Sequence, residues 1–165
     1  MARIKAVALD VDGVLTDGSF WWGPDGREFK RFSFLDVMGV SLGRKAGLVF
    51  ALISGEDSPL VDRFAAKMGI VDIYKGCKDK AAALRDFASR RGLEMGQIAF
   101  VGDDVNDLQA LALAGLSAAP STAHPSVLRQ VQRVLKRPGG NGAVRELIDE
   151  LLGSPSPPGP RKDRP

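Results

Sequence analysis

The sequence predicts an α/β fold: a three-layer parallel sheet with helices on both faces. Three observations carry that prediction. Short apolar runs at Ile4 to Leu9, Leu48 to Ile53 and Ile98 to Val101 read as strands buried on both faces. Helical segments with capping signals separate these runs, which is the alternation that βαβ crossovers need. The runs end in polar punctuation, DVDG, SG and GDDVND, at the sheet edge where open α/β folds bind ligands.

Taken in order, the first strand stops abruptly at Asp10, Val11, Asp12 and Gly13. Adjacent strand residues point to opposite faces, so Asp10 and Asp12 share a side while Val11 anchors the turn in the core. Gly13 lets the backbone turn tightly there. Ser19 to Trp22 and Arg27 to Phe34 flank the turn signal GPDG, which predicts a hairpin carrying Phe20, Trp21, Trp22, Phe29, Phe32 and Phe34. A lone hairpin is marginal, so that density of aromatics points to packing against another subunit, with packing inside the chain as the alternative. Val37 to Ala46 reads as a helix closed by Gly47. After the second strand, Ser58-Pro59 opens a helix that runs to Met68 and ends at Gly69.

Ile70 to Tyr74 is a short strand, and Asp79 to Arg91 an amphipathic helix with Ala81, Leu84, Phe87 and Ala88 on one stripe. The Ile98 to Val101 strand leads into GDDVND, then a helix over Asp107 to Ala114 and a strand over Leu116 to Ala118. His124-Pro125 reads as a helix-entry turn, followed by a helix and an edge strand at Arg133 to Leu135. GGNG forms a loop before a terminal helix, Ala143 to Leu152. Residues 1–153 are thus expected to form one domain, and 154–165 a disordered, basic, Pro-rich tail.

Composition narrows the function classes. The chain has 165 residues, 44% hydrophobic and 26% charged, enough for one globular core. No apolar run approaches the roughly 20 residues of a membrane span, and the N-terminus shows no signal-peptide cleavage site. A single cysteine, Cys77, permits a reducing compartment, and a cytoplasmic location is expected. The single histidine, His124, excludes His-rich metal sites. A net charge of +3, partly in the tail, and no basic stripe with interleaved aromatics argue against nucleic acid as partner.

The chemistry lies in the strand ends. A DxDG on its own is usually a plain turn. An EF-hand calcium loop is rejected, because its required Gly and Glu positions hold Leu15 and Trp21. Parallel strands, however, bring Asp10 and Asp12, Ser54-Gly55, Lys80, and Asp103, Asp104 and Asp107 to one edge. So many carboxylates need a cation, and hard oxygen ligands in this number suit Mg²⁺. Backbone amides of a helix-opening loop after Ser54 suit a phosphate.

With these motifs in their order (DVDGVLTDG, ISG, the lysine of KDK, GDDVND), the chain resembles the haloacid dehalogenase superfamily of phosphohydrolases, with its Rossmann-like core, from about Ala6 to Leu152. The resemblance implies that Asp10 is the nucleophile and Asp12 the general acid, then base. It implies that Ser54 and Gly55 hold phosphate, and that Lys80 steadies phosphate and nucleophile. Asp10, Asp103 and the Asp12 carbonyl would ligate Mg²⁺, Asp107 would orient Lys80, and Asp104 would support the site from outside the metal. The intervals Asp17 to Ser54 and Gly55 to Lys80 are too short for a cap domain.

DVDGVLTDG before an aromatic hairpin, with GGNGAVREL near the end, is similar to the capless phosphatases of 3-deoxy-D-manno-octulosonate 8-phosphate and related 2-keto-3-deoxy sugar acids. That likeness implies a phosphorylated sugar acid as substrate, and a homotetramer in which a neighbouring subunit completes the site. It departs from the octulosonate pattern at Ile53-Ser54-Gly55-Glu56 where ITGR is typical, at Asp36-Val37-Met38-Gly39 where DGxG is typical, and at Asn141. Glu56, with Lys67 three turns on along one helix, is closer to the branch acting on nine-carbon acid 9-phosphates, and both are candidate sugar contacts. Two rivals stay open: a general sugar-phosphate or nucleotide phosphatase, and a non-catalytic oligomerisation module like that fused to sialic-acid nucleotidyltransferases.

Overall fold

The computed structural model describes residues 3–153, so the expected tail at 154–165 lies outside the described residues. Six parallel strands form the sheet: β1 (Ala6–Leu9), β4 (Val49–Ile53), β5 (Asp72–Tyr74), β6 (Ile98–Val101), β7 (Leu116–Ala119) and β8 (Arg133–Val134). Their spatial order is β5-β4-β1-β6-β7-β8. β1 is central, with Leu9 opposite Leu52 of β4 on one side and Val101 of β6 on the other. The chain passes from β1 to β4 and later returns to β6 beyond it, so the switch in direction falls beside β1, where such sheets open a crevice.

Alternation along β1 divides the core. Val7 and Leu9 join one cluster with Val40 of α1 (Phe34–Lys45), Phe64 of α2 (Pro59–Met68) and Leu147 of α6 (Ala143–Leu151). Ala6 and Ala8 join the other, with Leu84 and Phe87 of α3 (Lys80–Arg91) and Leu111 of α4 (Leu108–Leu113). Phe87 is fully buried, and cutting it to alanine would cost about 3–5 kcal/mol. A short helix α5 (Pro125–Leu128), capped by His124, completes the second layer.

Local signals set the helix ends. Ser58 accepts from the Leu60 N–H ahead of Pro59, and Gly69 closes α2 in a left-handed conformation. Asp79 accepts from the Ala82 N–H at the start of α3. α1 begins at Phe34 rather than Val37, because Ser33 caps it by accepting from the Leu35 N–H. The hairpin is correspondingly smaller than expected: β2 (Trp21–Trp22) and β3 (Glu28–Phe29), with Trp21 opposite Phe29. Phe32 leaves it for the core and stacks on Phe64 with ring centroids 4.8 Å apart, and Phe34 belongs to α1.

Neither interval that could hold a cap does so. Asp17 to Ser54 contains the hairpin, α1 and β4, and Gly55 to Lys80 contains α2 and β5. No helix among the described residues is long and apolar enough to cross a membrane.

Candidate active site

Past β1 the sheet pairing continues by one residue, the Asp10 N–H donating to the Val101 carbonyl at 2.9 Å. The chain then folds over the Val11 carbonyl, which accepts from the N–H groups of Val14, Leu15 and Thr16. Val11 is fully buried, and Asp10 and Asp12 both line the same cavity. Gly13 has φ +91°, and a Cβ there would lie 2.0 Å from Asp103 Oδ2, so only glycine lets the two acidic loops meet. The GGNG loop closes from the other side: a Cβ on Gly139 would sit 1.8 Å from the Gly13 carbonyl oxygen.

Lys80, the first residue of α3, is almost wholly buried. Its ammonium donates to Asp10 Oδ1 at 2.7 Å and to Asp107 Oδ1 at 2.6 Å. The second Asp107 oxygen accepts from the N–H groups of Asp103 (2.9 Å) and Asp104 (3.2 Å). Asp107 is therefore fully engaged, holding both the lysine and the GDDVND turn. Asp104 caps that turn through the Val105 N–H and is exposed at the cavity wall.

Charge is unbalanced here. Burial first, then the Asp107 carboxylate, push Asp10 well above the usual carboxylate range, and Lys80 offsets them only in part. Burial likewise lifts Asp103 to about 6. Burial pulls Lys80 down, but Asp10 and Asp107 outweigh it and hold the ammonium above the ordinary lysine value. Carboxylate oxygens of Asp10, Asp103 and Asp107 lie within 4.8 Å of one another, and Asp103 Oδ1 is buried without a hydrogen-bond partner among the described residues. The Asp12 carbonyl accepts no backbone hydrogen bond among the described residues. An excess of hard, under-satisfied oxygens fits Mg²⁺, with Asp10 and Asp103 as the side chains free to face it.

The cavity measures about 440 Å³ and is lined by Asp10, Asp12, Gly55, Glu56, Lys80 and Asp103 among others. Ser54 is buried beneath it. Its hydroxyl accepts from the Glu56 N–H, so it shapes the loop and does not line the cavity. Glu56 reaches the wall, but α2 starts at Pro59, so Glu56 precedes the helix and the three-turn relation to Lys67 does not hold. The Ser58-Pro59 capping signal already placed that boundary. Lys67 is exposed near the end of α2 and does not line the cavity.

Sequence reasoning passed over Cys77, Lys78 and Asn106, which also line the cavity, and above all Lys30. The Lys30 ammonium donates to Asp12 Oδ1 at 2.7 Å and lies 3.6 Å from Glu28 Oε1. Burial pulls Lys30 down, but Asp12 and then Glu28 outweigh it and keep it above the ordinary lysine value. The available signal was the alternation Glu28, Phe29, Lys30, which puts both charges on one hairpin face.

A profile described as haloacid dehalogenase-like hydrolase matches residues 49–147. The chain is 37% identical to the 3-deoxy-D-manno-octulosonate 8-phosphate phosphatase KdsC of Salmonella typhi, over 91% of this chain and 80% of that protein. It is similar to the crystal structure of the Moraxella catarrhalis 3-deoxy-D-manno-octulosonate 8-phosphate phosphatase in complex with magnesium, phosphate and KDO. There the TM-score is 0.89 at 35% identity, covering 92% of this chain and 87% of that one. The cobalt-bound Haemophilus influenzae phosphatase of the same kind gives 0.89 at 38% identity, covering 92% and 89%.

Proposed function

The chain belongs to the haloacid dehalogenase-like hydrolases and, among them, to the family of 3-deoxy-D-manno-octulosonate 8-phosphate phosphatases; from that premise we propose that it is a Mg²⁺-dependent phosphatase removing the terminal phosphate of a 2-keto-3-deoxy sugar acid, the octulosonate 8-phosphate first. The observation that carries this reading is the convergence of Asp10, Asp12, Lys80 and Asp103 on one cavity at the switch point of the sheet.

In the proposed mechanism a carboxylate oxygen of Asp10 attacks phosphorus in line with the sugar oxygen. The bond from phosphorus to that oxygen breaks, and the leaving oxygen takes a proton from Asp12. Water then attacks the phosphoaspartyl group and gives its proton back to Asp12, which releases orthophosphate and restores the Asp10 carboxylate. Lys80 steadies Asp10 and the phosphoryl oxygens, and Asp107 holds Lys80 in place. At the loop after Ser54 the Gly55 N–H, which donates to no group among the described residues, is offered to the phosphate. Asp10, Asp103 and the Asp12 carbonyl would hold Mg²⁺, which when bound keeps the carboxylates ionised and offsets charge on the transferring group.

Residues 1–153 are taken as the catalytic domain of a cytoplasmic enzyme. The exposed aromatic hairpin supports assembly into a homotetramer in which a neighbour walls the cavity. In that arrangement Lys67 serves the site of an adjoining subunit. A nine-carbon acid 9-phosphate is the second reading, favoured by Glu56 at the cavity wall, a carboxylate that can accept from sugar hydroxyls.

The test is phosphate release from a panel of the eight-carbon 8-phosphate, the nine-carbon 9-phosphate, hexose phosphates and nucleotides, with Mg²⁺ present. The reading expects one acid-sugar ester to give the highest kcat/KM. A nucleotide or hexose phosphate in first place, or no turnover of any ester, overturns it.

A further inference from the structure

Lys30 is a buried cation with no part in the mechanism above. Its side chain is only 3% exposed, and it is not among the residues that line the cavity. It reaches Asp12 from the residue after β3, across a sequence separation of 18 residues. On its other side stands Glu28, whose Oε2 accepts from the Trp22 indole N–H at 3.1 Å. Trp22 and Glu28 are cross-strand partners, so the hairpin itself fixes the carboxylate that braces Lys30. A chain of contacts thus runs from Trp22 through Glu28 and Lys30 to Asp12.

The geometry points to Lys30 as a positioning residue for the acid–base aspartate: it holds Asp12 Oδ1 so that Oδ2 is the oxygen that gives and takes the proton.

This rests on the reading of Asp12 as proton donor to the leaving oxygen. Asp12 is about a third exposed and receives no other side-chain hydrogen bond among the described residues. Without Lys30 its carboxyl would rotate among several orientations. With Oδ1 accepting from the ammonium, a proton on this carboxyl sits on Oδ2. As the bond from phosphorus to the sugar oxygen breaks, the electron pair stays on that oxygen and the Oδ2 proton moves to it. In the second step the attacking water returns one proton to the same atom. Fixing one oxygen in this way restricts the orientations the acid must search before transfer.

Leaving-group chemistry separates this role from a structural one. An alkoxide needs the proton, whereas p-nitrophenolate departs without it. The ratio of kcat/KM for the eight-carbon acid phosphate to kcat/KM for p-nitrophenyl phosphate therefore reports general-acid function. Lys30→Met, which keeps length and removes the charge, should lower this ratio about tenfold, within the roughly 10²–10⁴-fold worth of a general acid. An unchanged ratio, with equal losses on both esters or none, overturns the proposal, since a phosphate contact or a packing defect would act on both alike. If Lys30→Met fails to fold by circular dichroism, Glu28→Gln carries the test: a ratio about threefold lower supports the proposal, and the wild-type ratio sinks it. Asp12→Asn is the control for the underlying reading. Should it keep the wild-type ratio, that reading fails and takes this one with it; should it alone lower the ratio, only the role of Lys30 is lost.

Discussion

Asp107 and Lys80 form a buried pair, the ammonium 2.6 Å from Asp107 Oδ1 and turned by it toward Asp10. The pair links the GDDVND turn to the head of α3, and so two strand ends to each other. Without Asp107 the lysine keeps Asp10 as its counter-charge, but the Asp103 and Asp104 N–H groups lose their acceptor.

Asp107→Ala should therefore cost about 2 kcal/mol of stability, the scale of buried donors left unsatisfied, read from urea unfolding with Mg²⁺ absent. It should also lower turnover sharply, because Lys80 loses the contact that aims it. A variant within 1 kcal/mol of wild type, as order of magnitude, would remove the structural role assigned here.

A pH effect follows from the acidic cluster. Burial raises Asp103 to about 6 and Asp10 well above the ordinary value. Both are thus raised on folding, so their contribution to the stability of the metal-free protein is fully present below about pH 4. It is lost as pH rises, for Asp103 through about 6. Mg²⁺ needs the ionised carboxylates and reverses this penalty. The gain in Tm on adding Mg²⁺ should accordingly be larger at about pH 7.5 than at about pH 5. Equal gains at the two pH values would speak against these carboxylates as the metal's ligands.

Asp36 bridges α1 to the start of α6, accepting from the Gly142 N–H at 3.0 Å and the Arg145 N–H at 3.1 Å while fully buried. It thereby anchors the GGNG loop that presses on Gly13. Asp36→Ala should destabilise by about 2 kcal/mol, a lost cap plus unsatisfied buried donors. Asp36→Asn should retain about half of that, since its amide oxygen still accepts one bond. Chemical denaturation of both variants checks the order, and equal losses contradict it.

The aromatic hairpin gives a prediction about assembly. Trp21 and Trp22 are 54% and 70% exposed, beside Phe20 and Phe29. A charge at this patch should dissociate the assembly proposed above. Light scattering of Trp22→Asp should show a smaller particle than wild type, with lower kcat/KM. A wild-type particle that is already monomeric would discard the hairpin as an interface.

Much of this architecture is legible in the residues. The buried strands β1, β4 and β6 are apolar runs, and their polar ends fall on one edge because parallel strands put them there. Ser58-Pro59 and Asp79 mark helix starts through local hydrogen bonds, which a short window of sequence contains. What escaped depends on distant partners. Lys30 in a hairpin reads as a solvated charge until folding brings Asp12 to it, and the residue order alone does not show that the Ser54 hydroxyl accepts from the Glu56 N–H. Phe32 reads as part of the hairpin until Phe64 offers it a stacking partner. Counting residues places Glu56 and Lys67 on one helix, whereas Ser58 as cap excludes Glu56 from it.

The central claim is that Asp10 performs the first displacement with Mg²⁺ present. The most direct measurement is phosphate release from 3-deoxy-D-manno-octulosonate 8-phosphate by wild type and by Asp10→Asn, each with Mg²⁺ and with a chelator. Wild type should turn over with Mg²⁺ and stop when it is chelated. Asp10→Asn should bind the ester, remain folded and release no phosphate in either condition. Turnover at the wild-type rate by Asp10→Asn, or by wild type under chelator, would contradict the account.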